Sequence, residues 1–302
     1  MSVEDVTVGF KTFLRPDKLR TCLEHINRLS SPPGRIIVAD DSPRKDLNER
    51  VYRDYREETP LEVIDLEPDT GLSTGRNRIV DRTDTPYLFI MDDDHYLSPE
   101  TLRLKQVLEG DPSLGGIAAA WDENGYKKMI AGDITIENGW MIINDHDEPP
   151  DHAAGIDYYL YDFIPNSALF RTEALREYSW DDAFIIDGEH EDFYLGHKFQ
   201  TDWQFSITPN IVIKHDPGPG LMGAYSTDHR MNEKKRTRSR EYFVEKWGVK
   251  GYLFRGYHYK EHSNPLSRLG ARTLYELPPV VQWELKKRGH LDRIKYSIEA
   301  MK

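Results

Sequence analysis

Three polar clusters contain side chains that could carry chemistry: Asp40-Asp41-Ser42, the glycine-rich segment 69–77, and Asp92-Asp93-Asp94-His95. Three adjacent carboxylates repel one another unless a cation or hydrogen-bond donors offset their charge. Carboxylate oxygens are ligands that suit Mg²⁺ and Mn²⁺, and these ions keep open positions for the oxygens of a phosphate. Residues 92–94 therefore predict a metal–diphosphate site. The alternative is a solvated turn before the next helix.

The glycine-rich segment reads Asp69-Thr70-Gly71-Leu72-Ser73-Thr74-Gly75-Arg76-Asn77. It lacks the Gly-Lys-Ser/Thr of nucleotide triphosphatases, and its glycines do not match the dinucleotide-binding fingerprint. Small residues such as Gly71 and Ser73 would still let a nucleotide approach the backbone, and the Arg76 guanidinium can donate to a phosphate or a base. The alternative is a helix start with Arg76 on a solvated face.

A fourth polar cluster is the run Glu189-His190-Glu191-Asp192. At a helix N-terminus the adjacent Glu191 and Asp192 point in different directions, so one can cap the helix while the other is free for chemistry. One alternative is that these acidic residues only start a helix. A zinc site built on His190 and His197 is a second alternative, but it lacks the His-x-x-x-His spacing of zinc proteases.

Strands that alternate with helices must position these clusters. Apolar runs predict strands at 6–10, 35–39, 61–66 and 87–91, with helices at 16–29, 45–57 and 71–81 between them. This spacing predicts parallel βαβ units and an α/β sheet. Ligands of such sheets bind beyond the carboxyl ends of the strands, which is where the first three clusters lie.

The second half of the chain has a different pattern. Short strands split by Asn-Gly and Gly turns are predicted at 117–121, 126–131, 133–136 and 140–143. A helix at 98–109 precedes them, and a polar loop (145–154), a helix (191–199) and strands at 204–208 and 211–214 follow. A Pro/Gly cluster at 216–220 comes next, and the remaining residues are predicted to be helical and basic.

Charge is unevenly distributed along the 302 residues, whose net charge is −12. Residues 1–229 carry a balance of −22, whereas residues 230–302 carry +10. One interpretation is solvated surface of both signs. The other is an acidic body that holds a metal and a basic segment that faces an anionic ligand or surface. The loop 216–230 divides the chain into a predicted domain 1–230 and a basic helical extension 231–302.

The cellular location follows from what the sequence lacks. Cys22 alone forms no internal disulfide, the N-terminal residues do not resemble a secretory signal, and no apolar stretch is long enough to span a membrane. We therefore expect a cytoplasmic protein, with peripheral contact at the inner face of the membrane through the basic C-terminal segment. Nucleic acid is not an expected partner, because the chain is acidic and has no recognised binding motif.

Several motifs together resemble a known family. The series IIVADDS, GLSTGRN and FIMDDDH resembles the nucleotide-binding half of a GT-A-fold, family 2 glycosyltransferase. GxSxGRN followed by a triple Asp is similar to the beta-1,4-N-acetylgalactosaminyltransferase-like branch. The resemblance covers roughly residues 5–248 and continues through PNSALFR, GEHEDFYL, IVIKHD and SREYFVEKWG. It implies a Rossmann-like nucleotide-binding half with a mixed central sheet.

The resemblance also implies a donor and metal site. Asp41, and with it Asp40, would contact the nucleobase or ribose of a nucleotide sugar, while Arg76 would lie near its phosphates. Asp92 would lie by the ribose and also bind the metal, and Asp93 would be a further nucleotide-binding residue. Asp94 and His215 would hold Mn²⁺ or Mg²⁺, which bridges the diphosphate.

The catalytic roles implied by the resemblance fall on the acidic run. Asp192 would be the general base, and Glu191 would bind acceptor hydroxyls or replace it as the base. A sugar hydroxyl is a poor nucleophile, and a carboxylate that accepts its proton contributes on the order of 10²–10⁴-fold. Glu189 and Trp180, which lies in the polar run SWDD, are the candidate acceptor-site residues.

These observations predict a metal-dependent, inverting glycosyltransferase. The donor would be a UDP-sugar carrying an N-acetylhexosamine (GalNAc or GlcNAc), and the acceptor a hydroxyl of a glycan or glycolipid. One alternative is a sugar-nucleotide nucleotidyltransferase, which should carry a Gly-rich loop after the first strand, where this chain has only Gly9. The other is a non-catalytic carbohydrate- or metal-binding module on the same fold.

Overall fold

The computed structural model describes residues 3–56, 59–146, 148–218, 232–255, 257–258 and 265–299. In this part of the chain, twelve strands form one mixed sheet and three further strands form a small second sheet. Each face of the large sheet is covered by its own hydrophobic core. In the second strand, for example, Ile36 and Val38 belong to one core, and Ile37 and Ala39 belong to the other. A strand buried on both faces explains the uninterrupted apolar run RIIVA.

The N-terminal half is a parallel βαβ unit, as the sequence predicts. Its strands lie in the order β3-β2-β1-β4 and are parallel at each pairing. Pro16 occupies the first turn of the first helix, where its missing N–H costs nothing. The elements are β1 (Val6–Thr12), α1 (Pro16–Asn27), β2 (Arg35–Asp40), α2 (Asp46–Arg56), β3 (Leu61–Asp65), α3 (Leu72–Arg82) and β4 (Tyr87–Asp92).

The middle of the chain extends this sheet beyond β4. The elements are β5 (His95–Tyr96), a 3₁₀ turn (Thr101–Arg103), α4 (Leu104–Gly110), β6 (Leu114–Glu123), β7 (Tyr126–Ile130), β8 (Asp133–Glu137), β9 (Trp140–Asn144), β10 (Asp151–Ala153), β11 (Ile156–Tyr161), β12 (Ala168–Arg171), α5 (Thr172–Glu177), α6 (Glu189–Gln200) and β13 (Gln204–His215). The sheet continues in the order β4-β12-β6-β13-β11-β10. Antiparallel pairings of β12 with β4 and β6 make it mixed.

Three predictions for this region need correction. The predicted strands 204–208 and 211–214 are one strand, β13, whose pairing with β6 shifts register between Thr208 and Val212. The predicted loop 145–154 contains the short β10, which pairs with β11. The predicted helix 98–109 begins as a 3₁₀ turn, and its α-helical part starts at Leu104.

The C-terminal segment is mostly helical but also contributes strands. The prediction of an all-helical segment is wrong at β14 (Gly251–Phe254), which pairs in parallel with β9, and at β15 (Tyr257–His258), which pairs with β7. The predicted boundary 216–230 lies largely on residues 219–231, outside the described ranges. The helices are α7 (Glu233–Trp247), α8 (Pro265–Glu276), α9 (Pro279–Lys287) and α10 (His290–Glu299).

Candidate active site

A cluster of three potential metal ligands lies at the carboxyl ends of β4 and β13. The two-residue strand β5 pairs antiparallel with the end of β13, so that His95 lies opposite His215. Asp94 immediately precedes β5, and the ligand atoms of Asp94, His95 and His215 all lie within 4.8 Å of one another. The structure therefore brings together two predicted metal ligands, Asp94 and His215, and adds His95.

Glu123, at the end of β6, orients His215. Its Oε2 lies 2.7 Å from Nδ1 of His215, and its Oε1 accepts a hydrogen bond of 2.8 Å from Lys128. Burial raises the pKa of Glu123, but the bonds from His215 and Lys128 outweigh it and lower the pKa to about 2. A carboxylate that holds one ring nitrogen of a histidine leaves the other nitrogen, here Nε2, directed at an ion.

The donor set fits a divalent transition metal better than Mg²⁺. It consists of one carboxylate and two imidazoles, and imidazole nitrogen suits first-row transition metals such as Fe, Ni, Cu and Zn, whereas Mg²⁺ prefers oxygen ligands. Burial lowers the pKa of His95 to about 4, which keeps its imidazole neutral and able to bind a cation. The ring of His95 stacks on that of His215 with centroids 4.7 Å apart.

The other two carboxylates of the triple Asp have different partners. Asp93 is fully buried, accepts a hydrogen bond of 2.7 Å from Thr12 and forms an ion pair with Arg15. Burial raises the pKa of Asp93 to about 7 although the charge of Arg15 opposes this. Asp92 accepts a bond of 2.9 Å from Arg76, whose charge outweighs burial and lowers the pKa of Asp92. The triple Asp thus divides into a potential metal ligand, a buried structural carboxyl and a partner of Arg76 in the glycine-rich segment.

Asp41 holds the glycine-rich segment against the end of β2. Its carboxylate forms an ion pair with Lys11 and accepts longer bonds from the Gly71 N–H at 3.3 Å and the Thr70 hydroxyl at 3.4 Å. Gly71 has a φ of 97°, and a Cβ there would lie 2.8 Å from Cα of Ile185. Only glycine fits this conformation and this close approach.

Asp40 is engaged by the protein itself. Its carboxylate accepts hydrogen bonds from the Ser42 N–H at 2.9 Å, from Asn48 at 2.8 Å and from the Tyr52 hydroxyl at 2.7 Å. These contacts fix the turn after β2. Asp41 is therefore the better placed of the two residues to contact a nucleoside.

Arg76 is a buried cation with unused hydrogen-bonding capacity. Its side chain is 1% exposed, and one terminal nitrogen donates to Asp92. The remaining nitrogens, Nε and Nη1, have no hydrogen-bond partner among the described residues. Buried donors without a partner are costly, so they indicate an anionic ligand. The hydroxyl of Ser73 on the same helix is also buried and without a partner in the described part of the chain.

The acidic run at the start of α6 divides between two surroundings. Glu189 is buried and its pKa is raised to about 7, mainly by burial and against the charge of Arg76. Asp192 instead accepts bonds of 2.8 Å from the Trp247 indole and from Lys246. Glu191 lies 3.6 Å from Lys286. Asp192 and Glu191, the two candidate bases, thus face the C-terminal segment, while Glu189 faces Arg76 of the glycine-rich segment.

Trp180 lies in the core instead of on an acceptor surface. It is 2% exposed and stacks on Phe193 with ring centroids 4.4 Å apart. Its backbone carbonyl accepts a bond of 2.7 Å from Asn77, and Arg76 lies 5.6 Å from its ring centroid. This ring has no exposed face for stacking on a sugar, and its contacts instead hold the segment 180–182 against α3.

Comparison with known proteins identifies the family. The sequence model of glycosyl transferase family 2 matches residues 7–178, more than half of the chain. The chain belongs to glycosyl transferase family 2. This confirms the resemblance carried by the strand-end motifs and favours a glycosyltransferase over the nucleotidyltransferase alternative.

Similar proteins place this family 2 member near one branch. Beta-1,4 N-acetylgalactosaminyltransferase 1 from Homo sapiens is 37% identical over 202 residues, which cover 63% of this chain and 35% of that protein. The Rattus norvegicus protein of the same name is 33% identical over 260 residues, which cover 80% and 46% of the two chains. This family 2 chain thus spans less than half the length of these curated relatives.

Solved structures confirm the predicted GT-A fold of the family 2 chain. A crystal structure of S. aureus TarS in complex with UDP-GlcNAc superimposes with a TM-score of 0.53 over 99% of this chain and 90% of that one. The sequence identity is 12%, so the likeness concerns the fold.

Sequence reasoning missed four residues at the site of this family 2 protein: Lys11, Arg15, His95 and Glu123. Lys11 and Arg15 lie on and just after β1, and they neutralise Asp41 and the triple Asp from a distance of 30 to 79 residues along the chain. His95 had a local signal, because it directly follows the three aspartates. Glu123 had none, since only the pairing of β6 with β13 brings it to His215.

Several cations in the described part of the basic C-terminal segment form internal ion pairs. Lys235 pairs with Asp69 of the glycine-rich segment, and Arg236 and Arg240 both pair with Asp187. In the same basic run, Lys234 and Arg238 remain exposed. Among the helices that the structure describes, none combines the length and apolar character needed to cross a bilayer.

Proposed function

We propose that this chain transfers an N-acetylhexosamine from a UDP-sugar to a hydroxyl of a glycan or glycolipid in a metal-dependent reaction. The observation that carries the proposal is the grouping of Asp94, His95 and His215 next to the Asp92–Arg76 pair. A cation site beside a buried guanidinium with unused donors suits a diphosphate. The names of the similar transferases, and the UDP-GlcNAc bound by TarS, support the choice of sugar and nucleotide.

Each residue of the site has a role in this proposal. Asp94, His95 and His215 would hold the ion, and the donor set favours a first-row transition metal over Mg²⁺. A bound divalent ion stabilises the negative charge that develops on the departing diphosphate. Arg76 donates to the phosphate oxygens, while Asp41 and Gly71 shape the pocket for the nucleoside. Inversion requires one proton acceptor on the face of the sugar opposite the diphosphate.

The ion pairs of α7 bear on the predicted partners. The ion pairs of Lys235, Arg236 and Arg240 leave few cations of α7 for an anionic surface. The peripheral membrane contact and the cytoplasmic location therefore stay predictions. A hydroxyl-bearing glycan or glycolipid remains the proposed acceptor, on the strength of the similarity to glycosyltransferases.

The test measures donor binding, metal binding and turnover separately. Titration calorimetry with UDP should show binding in MnCl₂ that weakens at least about tenfold in EDTA, because the ion offsets the diphosphate charge. Asp94→Ala should lose this metal dependence and should also lose Mn²⁺ binding in electron paramagnetic resonance. Asp202→Ala, which removes an exposed carboxylate before β13, is the matched control and should behave as wild type.

Two results would contradict the proposal. The first is a wild-type protein that neither binds UDP nor releases it from UDP-N-acetylgalactosamine or UDP-N-acetylglucosamine in MnCl₂. The second is Mn²⁺ binding that is unchanged in Asp94→Ala. Binding of UDP without any release from either sugar would instead support the non-catalytic module.

A further inference from the structure

The contacts of the first turn of α6 indicate which residue accepts the proton of the incoming hydroxyl. We propose that His190, held by Glu189, is the proton acceptor of the transfer reaction, in place of Asp192. This inference rests on the proposed function, because it assumes that the pocket beside Arg76 holds a nucleotide sugar. It assigns a catalytic role to a residue that the sequence analysis considered only as a zinc ligand.

The helix geometry separates the two candidates. Successive residues of an α-helix are rotated by about 100°, so residues two apart point about 160° away from each other. His190 and Asp192 are two apart, and their partners differ accordingly. Among the charges that act on His190 are those of Arg76 and Asp92 of the donor site. Asp192 contacts Trp247 and Lys246 of α7.

Asp192 is poorly suited to accept a proton from a substrate. Its side chain is fully buried, and Oδ1 is held by two donors of the C-terminal segment. Burial raises the pKa of Asp192, although the contacts with Lys246 and Trp247 oppose this, so access and not basicity is what disfavours it. The other oxygen, Oδ2, has no hydrogen-bond partner among the described residues but is buried, so a substrate hydroxyl would have to displace part of the surrounding core to reach it.

His190 has the hydrogen-bonding arrangement of a proton acceptor. Its Nε2 lies 3.4 Å from Oε1 of Glu189 and 3.5 Å from the side-chain amide of Asn166. Glu189 can accept the Nε2 proton, and a half turn of the Asn166 amide lets its oxygen do the same. That tautomer leaves a lone pair on Nδ1, which has no hydrogen-bond partner in the ranges that the structure describes.

The electrostatic surroundings keep the imidazole neutral until the donor binds. Burial lowers the pKa of His190 to about 3, and the charges of Arg76 and His95 act in the same direction. Asp92 and Asp187 oppose them. His190 also lies in the first turn of α6, where the helix dipole disfavours a cation. A diphosphate bound to Arg76 would offset its charge, so the imidazole becomes a stronger base when the donor is in place.

The step balances as a single displacement. The proton of the acceptor hydroxyl moves to Nδ1 of His190 while the hydroxyl oxygen forms a bond to the anomeric carbon. The bond between that carbon and the β-phosphate oxygen breaks, and its electron pair leaves with UDP. Glu189 and Asp92 offset the charge of the resulting imidazolium, which then releases its proton to solvent.

The experiment uses UDP release from UDP-N-acetylgalactosamine in MnCl₂, with water as the acceptor. His190→Ala should lower the rate about 10²–10⁴-fold, the usual contribution of a general base, and should change UDP affinity less than about threefold. Added imidazole should restore part of the rate, which a purely structural role would not allow. His190→Gln keeps the size of the side chain and should show the same loss without unfolding.

The control is His152→Ala, which removes an exposed histidine paired with Asp157. It should keep the wild-type rate and should not respond to imidazole. A rate in both His190 variants above a tenth of wild type, with Asp192→Asn inactive and still binding UDP, would overturn the inference. Loss of UDP binding in both His190 variants would also overturn it. A wild-type protein that binds no UDP would instead refute the proposed function itself.

Discussion

Two acidic regions of this molecule have similar composition but opposite arrangements. The strand-end carboxylates, Asp92–Asp94, lie among cations of the N-terminal half and two histidines, and Asp94 belongs to a set of potential metal ligands. The carboxylates before and at the start of α6 are paired with cations of the C-terminal segment; they are Asp181, Asp187, Glu191 and Asp192. The first region is organised for a ligand, and the second is organised for another part of the chain.

The difference explains part of the uneven charge. Residues 1–229 have a charge balance of −22 and residues 230–302 one of +10. Part of this opposite charge is paired where α7 and α9 contact the carboxylates before and at the start of α6. Charge separated along the sequence is thus partly neutralised in space. A charge count does not distinguish a ligand site from an internal docking surface, because both are runs of Asp and Glu.

The largest expected effect comes from breaking the docking surface, meaning the carboxylates Asp181, Asp187, Glu191 and Asp192 that pair with cations of α7 and α9. Asp187→Ala would leave Arg240, 3% exposed, and the Tyr252 hydroxyl without their shared carboxylate. Removing one member of a buried ion pair costs about 3–5 kcal/mol, so we expect a loss of that size in the free energy of unfolding. Urea denaturation measures it. Arg238→Ala removes an exposed cation of α7, the helix that contains Arg240. It should change the free energy of unfolding by less than about 0.5 kcal/mol. Equal effects of the two changes would mean that the docking surface contributes little.

A second prediction concerns pH and sharpens the contrast at Glu189. A carboxyl whose pKa is raised to about 7 on folding, from about 4.3 when unfolded, holds its proton more tightly in the folded state. Its contribution to stability is complete below the unfolded pKa and is lost as the pH rises through 7. Relative to Glu189→Gln, the wild-type free energy of unfolding should therefore fall by roughly 3 kcal/mol between about pH 4 and pH 8.

The control for this pH effect is Glu173→Gln, a change at an exposed glutamate on α5. The difference between this variant and wild type should stay within about 0.5 kcal/mol at both pH values. A constant difference between wild type and Glu189→Gln would show that Glu189 ionises as readily in the folded protein as in the unfolded chain.

The smallest expected effect tests the orientation of a metal ligand. Glu123→Gln keeps the size of the side chain but weakens its hold on the His215 ring. Changes of this kind lower metal affinity about 10–100-fold, which calorimetric titration with MnCl₂ would detect. Glu137→Gln, an exposed change in the β8–β9 hairpin, should leave the affinity unaltered. Unchanged affinity in Glu123→Gln would indicate that His215 does not depend on this contact.

The sequence predicted the parallel half of the fold because its signals are local. Apolar runs marked the four strands, and turn residues marked where each ended. Two of the three potential metal ligands, Asp94 and His215, were predicted because each follows a strand and matches a family motif. These features depend on residues close together in the chain.

The rest of the site depends on contacts between distant residues. The register of β5 on β13 places His95 beside His215, and the pairing of β6 with β13 brings Glu123 to His215. No periodicity in one segment encodes such a register. Helix rotation and the position of α7 decide which side chains of residues 189–192 face Arg76 and which face the C-terminal segment. The sequence alone does not show this, so it assigned substrate-related roles to all three acidic residues of the run.

One backbone contact sets how freely the site can change in evolution. The Leu72 N–H donates to the Ile185 carbonyl at 3.2 Å, so the glycine-rich segment and the segment before α6 are joined through main-chain atoms. A bond between main-chain groups is indifferent to which side chain stands at position 185, so that residue can drift. Gly71 has no such freedom, because any Cβ would strike the same backbone. Lineages of this protein should therefore vary at one side of the junction and remain fixed at the other.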